Sequence, residues 1–416
     1  MNILVVGGGG REHAICSALL KSPRVAKLFC APGNGGIAEI AQCVDIRATD
    51  IEGMVNFARE NADFVMVAPD DPLALGMVDA LEAAGIRAFG PRKNAARLES
   101  SKAYAKEIMK KYGIPTAGHE VFTDARETKA YILEQGAPLV VKADGLALGK
   151  GVVVALDVES ALAAVDLMML DRRFGESGSR VIIEEYMTGP EITILAFTDG
   201  KTVVPMLSSQ DYKRALTGNL GSNTGGMGAF CPTPVYTDEL ADICMKTIIR
   251  PTVEAMNIEG APFKGVLYFG LMLTPGGLRV VEYNARFGDP EAQPILTLLD
   301  TDLLDIFEAV ADERLHEIDI KWRDGCACCV VMASGGYPED YRTGYEITGL
   351  GDLPDGVTVF HAGTARSGGK LLTNGGRVLG VTAAGGVLEQ AACLAYEGVS
   401  RINFENAHYR TDIGHL

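Results

Sequence analysis

Lys142 lies inside the apolar run Leu139-Val-Val-Lys142-Ala, and Gly145, Gly149, Lys150 and Gly151 separate that run from a second one, Val152-Val-Val. An ammonium embedded in an apolar strand needs an anionic partner, because burying it alone is costly. The pattern reads as strand, glycine flap, strand. Backbone amides of such a flap can cover a triphosphate while Lys142 meets an α- or β-phosphate as a point charge. A Walker loop is a different device: it needs glycine where Asp144 stands, Ser or Thr where Gly151 stands, and a helix afterwards. The second constellation is Glu282, Asn284 and Arg286. Alternate residues of a strand share a face, so two hard oxygen donors and a guanidinium point the same way, a set suited to Mg2+ and phosphate. Asp289, Pro290 and Glu291 follow at once and bring carboxylates to the mouth of that site.

Weaker signals surround these two. Val181-Ile-Ile-Glu184-Glu185-Tyr186-Met187 ends an apolar strand in carboxylates, and Glu191 follows a turn; such an edge can serve an adenine amino group and a ribose. Gln210-Asp211-Tyr-Lys213-Arg214 and Ser222-Asn223-Thr-Gly-Gly-Met227 flank a loop free of charge. Gly7-Gly8-Gly9-Gly10 stands between a strand and a helix, yet Glu12 or His13 occupies the third glycine position of a dinucleotide fingerprint, and Ala31-Pro32 stands where a ribose-binding acid belongs. The residues leave open a bare tight turn or a single phosphate or carboxylate held by loop amides. Cys326-Ala-Cys328-Cys329 has no second pair and merges into Val330-Val331-Met332, so it reads as a buried strand.

The elements that position these residues follow from periodicity. Through residue 100, short apolar runs at Ile3 to Val6, Leu28 to Cys30, Phe64 to Ala68 and Arg87 to Phe89 alternate with helical spacing at Arg11 to Lys21, Ile51 to Ala58 and Leu73 to Ala84. That alternation predicts a doubly wound parallel sheet, with ligands beyond the carboxyl ends of its strands. A helix through Lys111 opens a second, strand-rich region, with a long structureless loop expected from Ala215 to Thr237. Past Asp324 the chain reads as short strands with glycine turns, including a hairpin at Thr373-Asn374-Gly375-Gly376, before a helix near Leu388. The expected domains are 1–100, 101–324 with a nucleotide-covering subdomain at about 115–188, and a β-rich 325–416.

Composition narrows the classes. With 416 residues, 47% hydrophobic and 22% charged, the chain is an ordinary globular protein. A net charge of -16 argues against a nucleic-acid surface, which needs clustered cations. The 49 glycines exceed the usual share of about 7%. Nine cysteines form no regular framework, the longest uncharged stretch is polar, and Met1-Asn-Ile-Leu-Val-Val has no basic leader. The expectation is a soluble protein of a reducing cytoplasm, with no membrane partner.

In this order, the motifs resemble the ATP-grasp ligases, and within them the phosphoribosylamine–glycine ligase family. The resemblance rests on Gly9-Gly10-Arg11-Glu12-His13, Ala31-Pro32-Gly33-Asn34, Lys142-Ala-Asp-Gly-Leu, Gly149-Lys150-Gly151, Gln210-Asp211, Asn223 to Ala229, Asn284-Ala-Arg286-Phe-Gly-Asp-Pro-Glu291, Ser334 to Pro338 and His361-Ala-Gly-Thr364. It covers essentially the whole chain. It implies a doubly wound N-domain, an ATP-grasp region of two subdomains and a small β-rich C-domain. It also implies that ATP activates glycine as glycyl phosphate for attack by 5-phosphoribosylamine, with Mg2+ or Mn2+ as cofactor and a monomer or weak homodimer as the working unit.

Carried over residue by residue, the resemblance implies that Lys102 and Lys142 meet nucleotide phosphates, Gly149, Lys150 and Gly151 form the flap, and Glu184, Glu185, Met187 and Glu191 contact the nucleoside. Glu282 and Asn284 would hold the metal. Asp211 and Arg286 would be catalytic, with Gly9, Gly10, Glu12, Lys213, Asn223, Asp289, Pro290 and Glu291 holding glycine and phosphoribosylamine. Tyr212 departs from a frequent His, Leu148 from Ala, and Asp70-Asp71-Pro72 from Glu-Ala-Pro. The residues also admit a ligase of a related ribonucleotide or a non-catalytic nucleotide sensor.

Overall fold

The computed structural model describes residues 1–146 and 151–415. Gly149 and Lys150 of the expected flap, and Leu148, lie outside the described residues.

The first five strands form a parallel sheet. Asn2–Gly7 is central, with Lys27–Pro32 and then Gln42–Cys43 on one side, Phe64–Val67 and then Arg87–Phe89 on the other. The chain changes direction across the central strand, so a crevice opens beyond its carboxyl end, where Gly7 to Gly10 meets the loop after Pro32. A Cβ at Gly8 would lie 2.4 Å from the Gly33 carbonyl oxygen, so only glycine lets these two loops touch. The helix expected over Leu73 to Ala84 divides into Asp70–Leu75 and Met77–Ala83, because Gly76 takes φ +95 and ends the first segment.

Two four-stranded antiparallel sheets follow. One orders His119–Phe122, Val181–Glu185, Leu139–Ala143 and Val152–Ala155, with helices Ala125–Gln135 and Val158–Val165 closing a small core around Val141, Ile183 and Met168. The other orders Val203–Pro205, Glu191–Asp199, Lys264–Thr274 and Gly277–Asn284. It shares apolar cores with the parallel sheet through helix Leu303–Ala311, whose Phe307 stacks on Phe89 at 4.0 Å between centroids.

The last large sheet departs from the sequence reading. Its order is Gln210–Asp211, Gly228–Cys231, Cys326–Ala333, Arg377–Gly385 and Val357–His361, so it crosses residue 324 and takes its first two strands from the middle of the chain. The stretch expected as a structureless loop contains these Gly228–Cys231 pairings and a hairpin, Arg214–Leu216 with Leu220–Asn223. Its polar, glycine-rich composition hid strands whose partners lie about a hundred residues away. The hairpin expected at Thr373 to Gly376 is also displaced. The pair is Thr364–Ser367 with Lys370–Thr373, turned at Gly368 and Gly369, which both take positive φ as such a tight turn requires. Cys326–Ala333 is a buried strand of free thiols, as its composition predicts. No helix among the described residues is long and apolar enough to cross a membrane.

Candidate functional site

The nucleotide end is built within one small sheet and one helix. Lys142 and Glu184 stand on adjacent strands, and alternation turns both inward while Glu185 faces solvent. Lys142 Nζ lies 2.9 Å from Glu184 Oε2 and donates to the Val281 carbonyl at 3.1 Å. Lys106, from helix Lys102–Lys111, reaches the same carboxylate oxygen at 3.2 Å and donates to Thr116 Oγ1 at 2.8 Å. All three are buried. Burial pulls the Lys106 ammonium down to about 8. It also opposes ionisation of Glu184, but the charges of Lys142 and Lys106 hold that carboxyl below its usual range. Glu184 Oε1 is buried without a protein partner among the described residues.

Lys102 donates to the Gly145 carbonyl at 2.7 Å, and burial lowers its ammonium. Asp144 anchors the start of that helix, accepting from the Ala103 amide at 3.1 Å and from Arg180 Nε at 2.6 Å. Gly151 sits at the far strand end, its carbonyl accepting from the Ala143 amide at 2.8 Å. Glu185 accepts from Arg279 at 3.0 Å, and Met187 follows, half-buried in an otherwise exposed connection to Glu191.

Lys213 joins this end to the next. Its Nζ is 2.9 Å from Glu191 Oε2 and 3.5 Å from Glu282 Oε1, so Glu191, expected at a ribose, is here an ion-pair partner. Glu282 and Asn284 face one way from strand Gly277–Asn284, and Arg286 Nη2 lies 3.4 Å from Asn284 Oδ1. Burial works against ionisation of Glu282, yet Lys213, Lys142 and Lys102 hold its carboxyl below the usual range. The contacts to these two oxygens are long, 3.5 and 3.4 Å, so both keep lone pairs for a hard cation. No cluster of three or more His, Cys, Asp or Glu suited to a metal exists among the described residues. Two protein oxygens completed by phosphate and water oxygens are nevertheless an ordinary Mg2+ arrangement, and the donor set fits.

The opposite end gathers residues from distant segments. Arg286 pairs with Glu99 at 2.8 Å, and Glu99 accepts from the Ala285 amide at 2.7 Å; Arg286 Nε is left buried and unpartnered among the described residues. Burial, then the charge of Glu291, pushes the Asp211 carboxyl well up, and burial also raises Glu291. Asp211 Oδ1 too is buried without a protein partner. Asp289 accepts from Gln293 at 2.8 Å and lies 3.3 Å from Arg377; burial opposes its ionisation, but the charges of Arg377 and Arg11 and the Gln293 hydrogen bond hold its carboxyl low. Glu12 accepts from the Gly9 amide and pairs with Arg11 at 2.9 Å, while Arg11 donates to the Phe287 carbonyl at 2.8 Å. Gly10 passes so close to Gln293 that a Cβ there would lie 2.6 Å from its amide nitrogen. Pro290 packs on Gly226, and Asn223 closes the hairpin opposite Arg214.

A cavity of about 350 Å³ opens here, lined by Gly8, Gly9, Asn34, Asp289, Tyr337 and Arg377 among others. Tyr212 points away from it: its hydroxyl accepts from the Gly414 amide at 3.2 Å, and Arg410 lies 4.8 Å from its ring centroid. Residue spacing did not single out Lys106, Glu99, Arg11, Gln293 or Arg377. Lys106 had a findable signal, four residues beyond Lys102 on one helix face. Arg377 had none.

Known proteins agree along the whole chain. Family models match in order: Phosphoribosylglycinamide synthetase, N domain, over residues 1–99; its ATP-grasp (A) domain over 100–292; its C domain over 327–416. The phosphoribosylamine–glycine ligase of Rhizobium meliloti is 48% identical over 415 residues, covering 100% of this chain and 98% of the relative. That of Halalkalibacterium halodurans is 46% identical, covering 100% and 96%. The crystal structure of phosphoribosylamine–glycine ligase from Thermotoga maritima superposes with a TM-score of 0.85 at 34% identity, covering 99% of this chain and 100% of that one. A biotin carboxylase from Campylobacter jejuni shares the fold alone, with a TM-score of 0.75 at 13% identity over 98% of this chain and 92% of that one. The chain belongs to the phosphoribosylglycinamide synthetase family, the phosphoribosylamine–glycine ligases.

Proposed function

We propose that the protein joins glycine to 5-phosphoribosylamine at the expense of ATP, giving glycinamide ribonucleotide, ADP and phosphate, a step of purine biosynthesis. The observation that carries this reading is that, of the buried polar side-chain atoms without a partner among the described residues, three belong to the expected site: Glu184 Oε1, Asp211 Oδ1 and Arg286 Nε. Buried polar groups are normally satisfied, and these three belong to an acceptor at the nucleoside, an acceptor for an amine and a donor for a carboxylate or acyl phosphate.

Glycine's carboxylate is a poor electrophile. Transfer of the γ-phosphoryl group to it gives glycyl phosphate; the amine of phosphoribosylamine then attacks the acyl carbon, and phosphate leaves with the C–O bonding pair. Lys142 and Lys102 offset phosphate charge, and Gly149 to Gly151 cover the triphosphate. Arg286, fixed by Glu99, keeps Nε for the acyl phosphate, and Asp211 with Glu291, which share proton affinity raised by burial, accept the amine proton. Glu282 and Asn284 would hold Mg2+, or Mn2+ in its place, which would supply charge neutralisation to the phosphoryl transfer. The remaining work is positioning.

The same reading divides the chain at 1–100, 101–324 and 325–416, with the nucleotide cover at about 115–188, and places a monomer or weak homodimer in the cytoplasm. The test is phosphate release from Mg-ATP. Release that needs both glycine and freshly made phosphoribosylamine is expected; nucleotide binding with no release would instead mark a sensor, and release with another amino acid or ribonucleotide a different ligase.

A further inference from the structure

Arg377 belongs to the strand Arg377–Gly385 of the C-terminal sheet, yet its guanidinium is spent on two segments of the substrate end. Nη1 donates to the carbonyls of Gly225 at 2.8 Å, Gly226 at 3.3 Å and Asp289 at 2.6 Å, while Nη2 lies 3.3 Å from Asp289 Oδ2. Gly226 is wedged between Pro290 and Asp211. A Cβ there would fall 2.4 Å from Pro290 Cδ and 2.6 Å from Asp211 Oδ1, and its φ of +112 suits glycine alone. One planar fork therefore sets where the Gly225 turn, which buttresses Asp211, sits against Asp289. Tyr337, in the turn that follows strand Cys326–Ala333, adds a second hold, accepting from the Gly225 amide at 3.2 Å.

We propose that Arg377 is a positioning residue for the ligation step: by clamping the Gly225–Gly226 turn to the Asp289–Pro290 segment, it fixes the Asp211 and Asp289 carboxylates at the separation the glycine and phosphoribosylamine end requires. The inference rests on the ligase reading of the site. Lysine cannot reproduce the clamp, because a point charge on a flexible stem cannot serve three carbonyls and a carboxylate through a rigid fork. The nucleotide end, built from Lys142, Lys106 and Glu184, shares no contact with Arg377, so the effect is confined to one end of the site.

Steady-state kinetics of Arg377→Ala and Arg377→Lys test this, with ATP affinity measured separately by fluorescent-nucleotide displacement and folding checked by thermal melting. Misplacement of reacting groups by a fraction of a bond length commonly costs about 10²-fold, so kcat/KM for phosphoribosylamine should fall about 10²-fold in both variants with ATP affinity within about twofold of wild type. Guanidinium ion at millimolar concentration should restore part of the lost rate in Arg377→Ala and none in Arg377→Lys. If Arg377→Ala does not fold, Tyr337→Phe serves instead; loss of one neutral hydrogen bond should lower the same parameter about fivefold and again spare ATP affinity. Variants within about twofold of wild type, an equal loss of ATP affinity, or a folded Arg377→Ala that guanidinium leaves unchanged would each overturn the proposal. Failure of wild-type protein to ligate would overturn the ligase reading instead, so the two outcomes are separable.

Discussion

The two ends of the site are built on opposite plans. At the nucleotide end, Lys142 and Glu184 come from neighbouring strands of one sheet, and Lys106 from the helix beside it, all within about 80 residues of chain. Two cations share one carboxylate in an apolar setting, so each charge is held by the others. At the substrate end, Asp211, Asp289, Arg286 and Arg377 converge from strands and loops spread over more than 160 residues, and separate arginine–carboxylate pairs together with glycine close approaches decide where they sit. The first plan tolerates local change poorly and meets the neighbouring sheet at the Val281 carbonyl, which accepts from Lys142. The second depends on docking of the C-terminal sheet against the N-terminal crevice.

Experiments can break or sharpen that contrast. The largest effect is expected where the ends meet. Glu282→Ala removes a metal-fitting oxygen and the carboxylate facing Lys213, and should lower ligation kcat about 10³-fold or more; a loss below tenfold would separate Glu282 from the chemistry. Lys142→Met leaves Glu184 with Lys106 as its only close cation among the described residues, and should weaken ATP binding about 10²-fold while costing about 3 kcal/mol of stability, since removing one cation of a buried ion-pair set leaves the carboxylate undercompensated. An unchanged melting temperature would show that the nucleotide end is not self-supporting.

Gly226→Ala attacks the other plan. Its Cβ would displace Asp211 or Pro290, so kcat/KM for phosphoribosylamine should drop about 30-fold with ATP binding intact, because the nucleotide end does not feel the turn. Parallel losses at both ends would mean that the two are mechanically one.

The smallest effect concerns the docking itself. His13 Nδ1 accepts from the His361 amide at 2.8 Å across the interface of the N-terminal helix and the C-terminal sheet. Burial, then the nearby His361, holds His13 at about 3, and burial holds His361 at about 4. The unfolded chain takes up these protons near 6.5 while the fold does not, so stability falls as pH drops from 6.5 toward 4, by about 1.4 kcal/mol per pH unit for each histidine. His13→Asn keeps an acceptor without a titrating ring, and chemical denaturation at pH 7 and pH 5 should show roughly half the acid sensitivity of this pair removed. Equal slopes in both proteins would remove His13 from the docking interface.

Legibility followed the same division. The parallel sheet, the strand carrying Lys142 and the face carrying Glu282 and Asn284 were readable because alternation and apolar runs are local signals. The split at Gly76 was missed because periodicity runs through a single glycine whose φ only the fold reveals. The segment from 215 to 237 was misread as structureless because its strands are only three or four residues long: one pair is a short polar hairpin, and Gly228–Cys231 finds its main partner about a hundred residues away. The hairpin was displaced because another glycine pair, Gly368-Gly369, makes the turn, and Lys370–Thr373 is its second strand.

The sequence by itself determined which groups carry charge and which share a face, since residue type and the period-two geometry of strands are properties of the local chain. It thereby set the charged groups that the proposed ligase offers to a triphosphate, a metal and a carboxylate substrate. Tertiary structure alone decided that Arg377 reaches Asp289, that Lys213 bridges Glu191 and Glu282, and that Gly226 admits Asp211 at close range. Those contacts join residues brought together only when separate sheets dock, and no local spacing encodes the distance between two sheets.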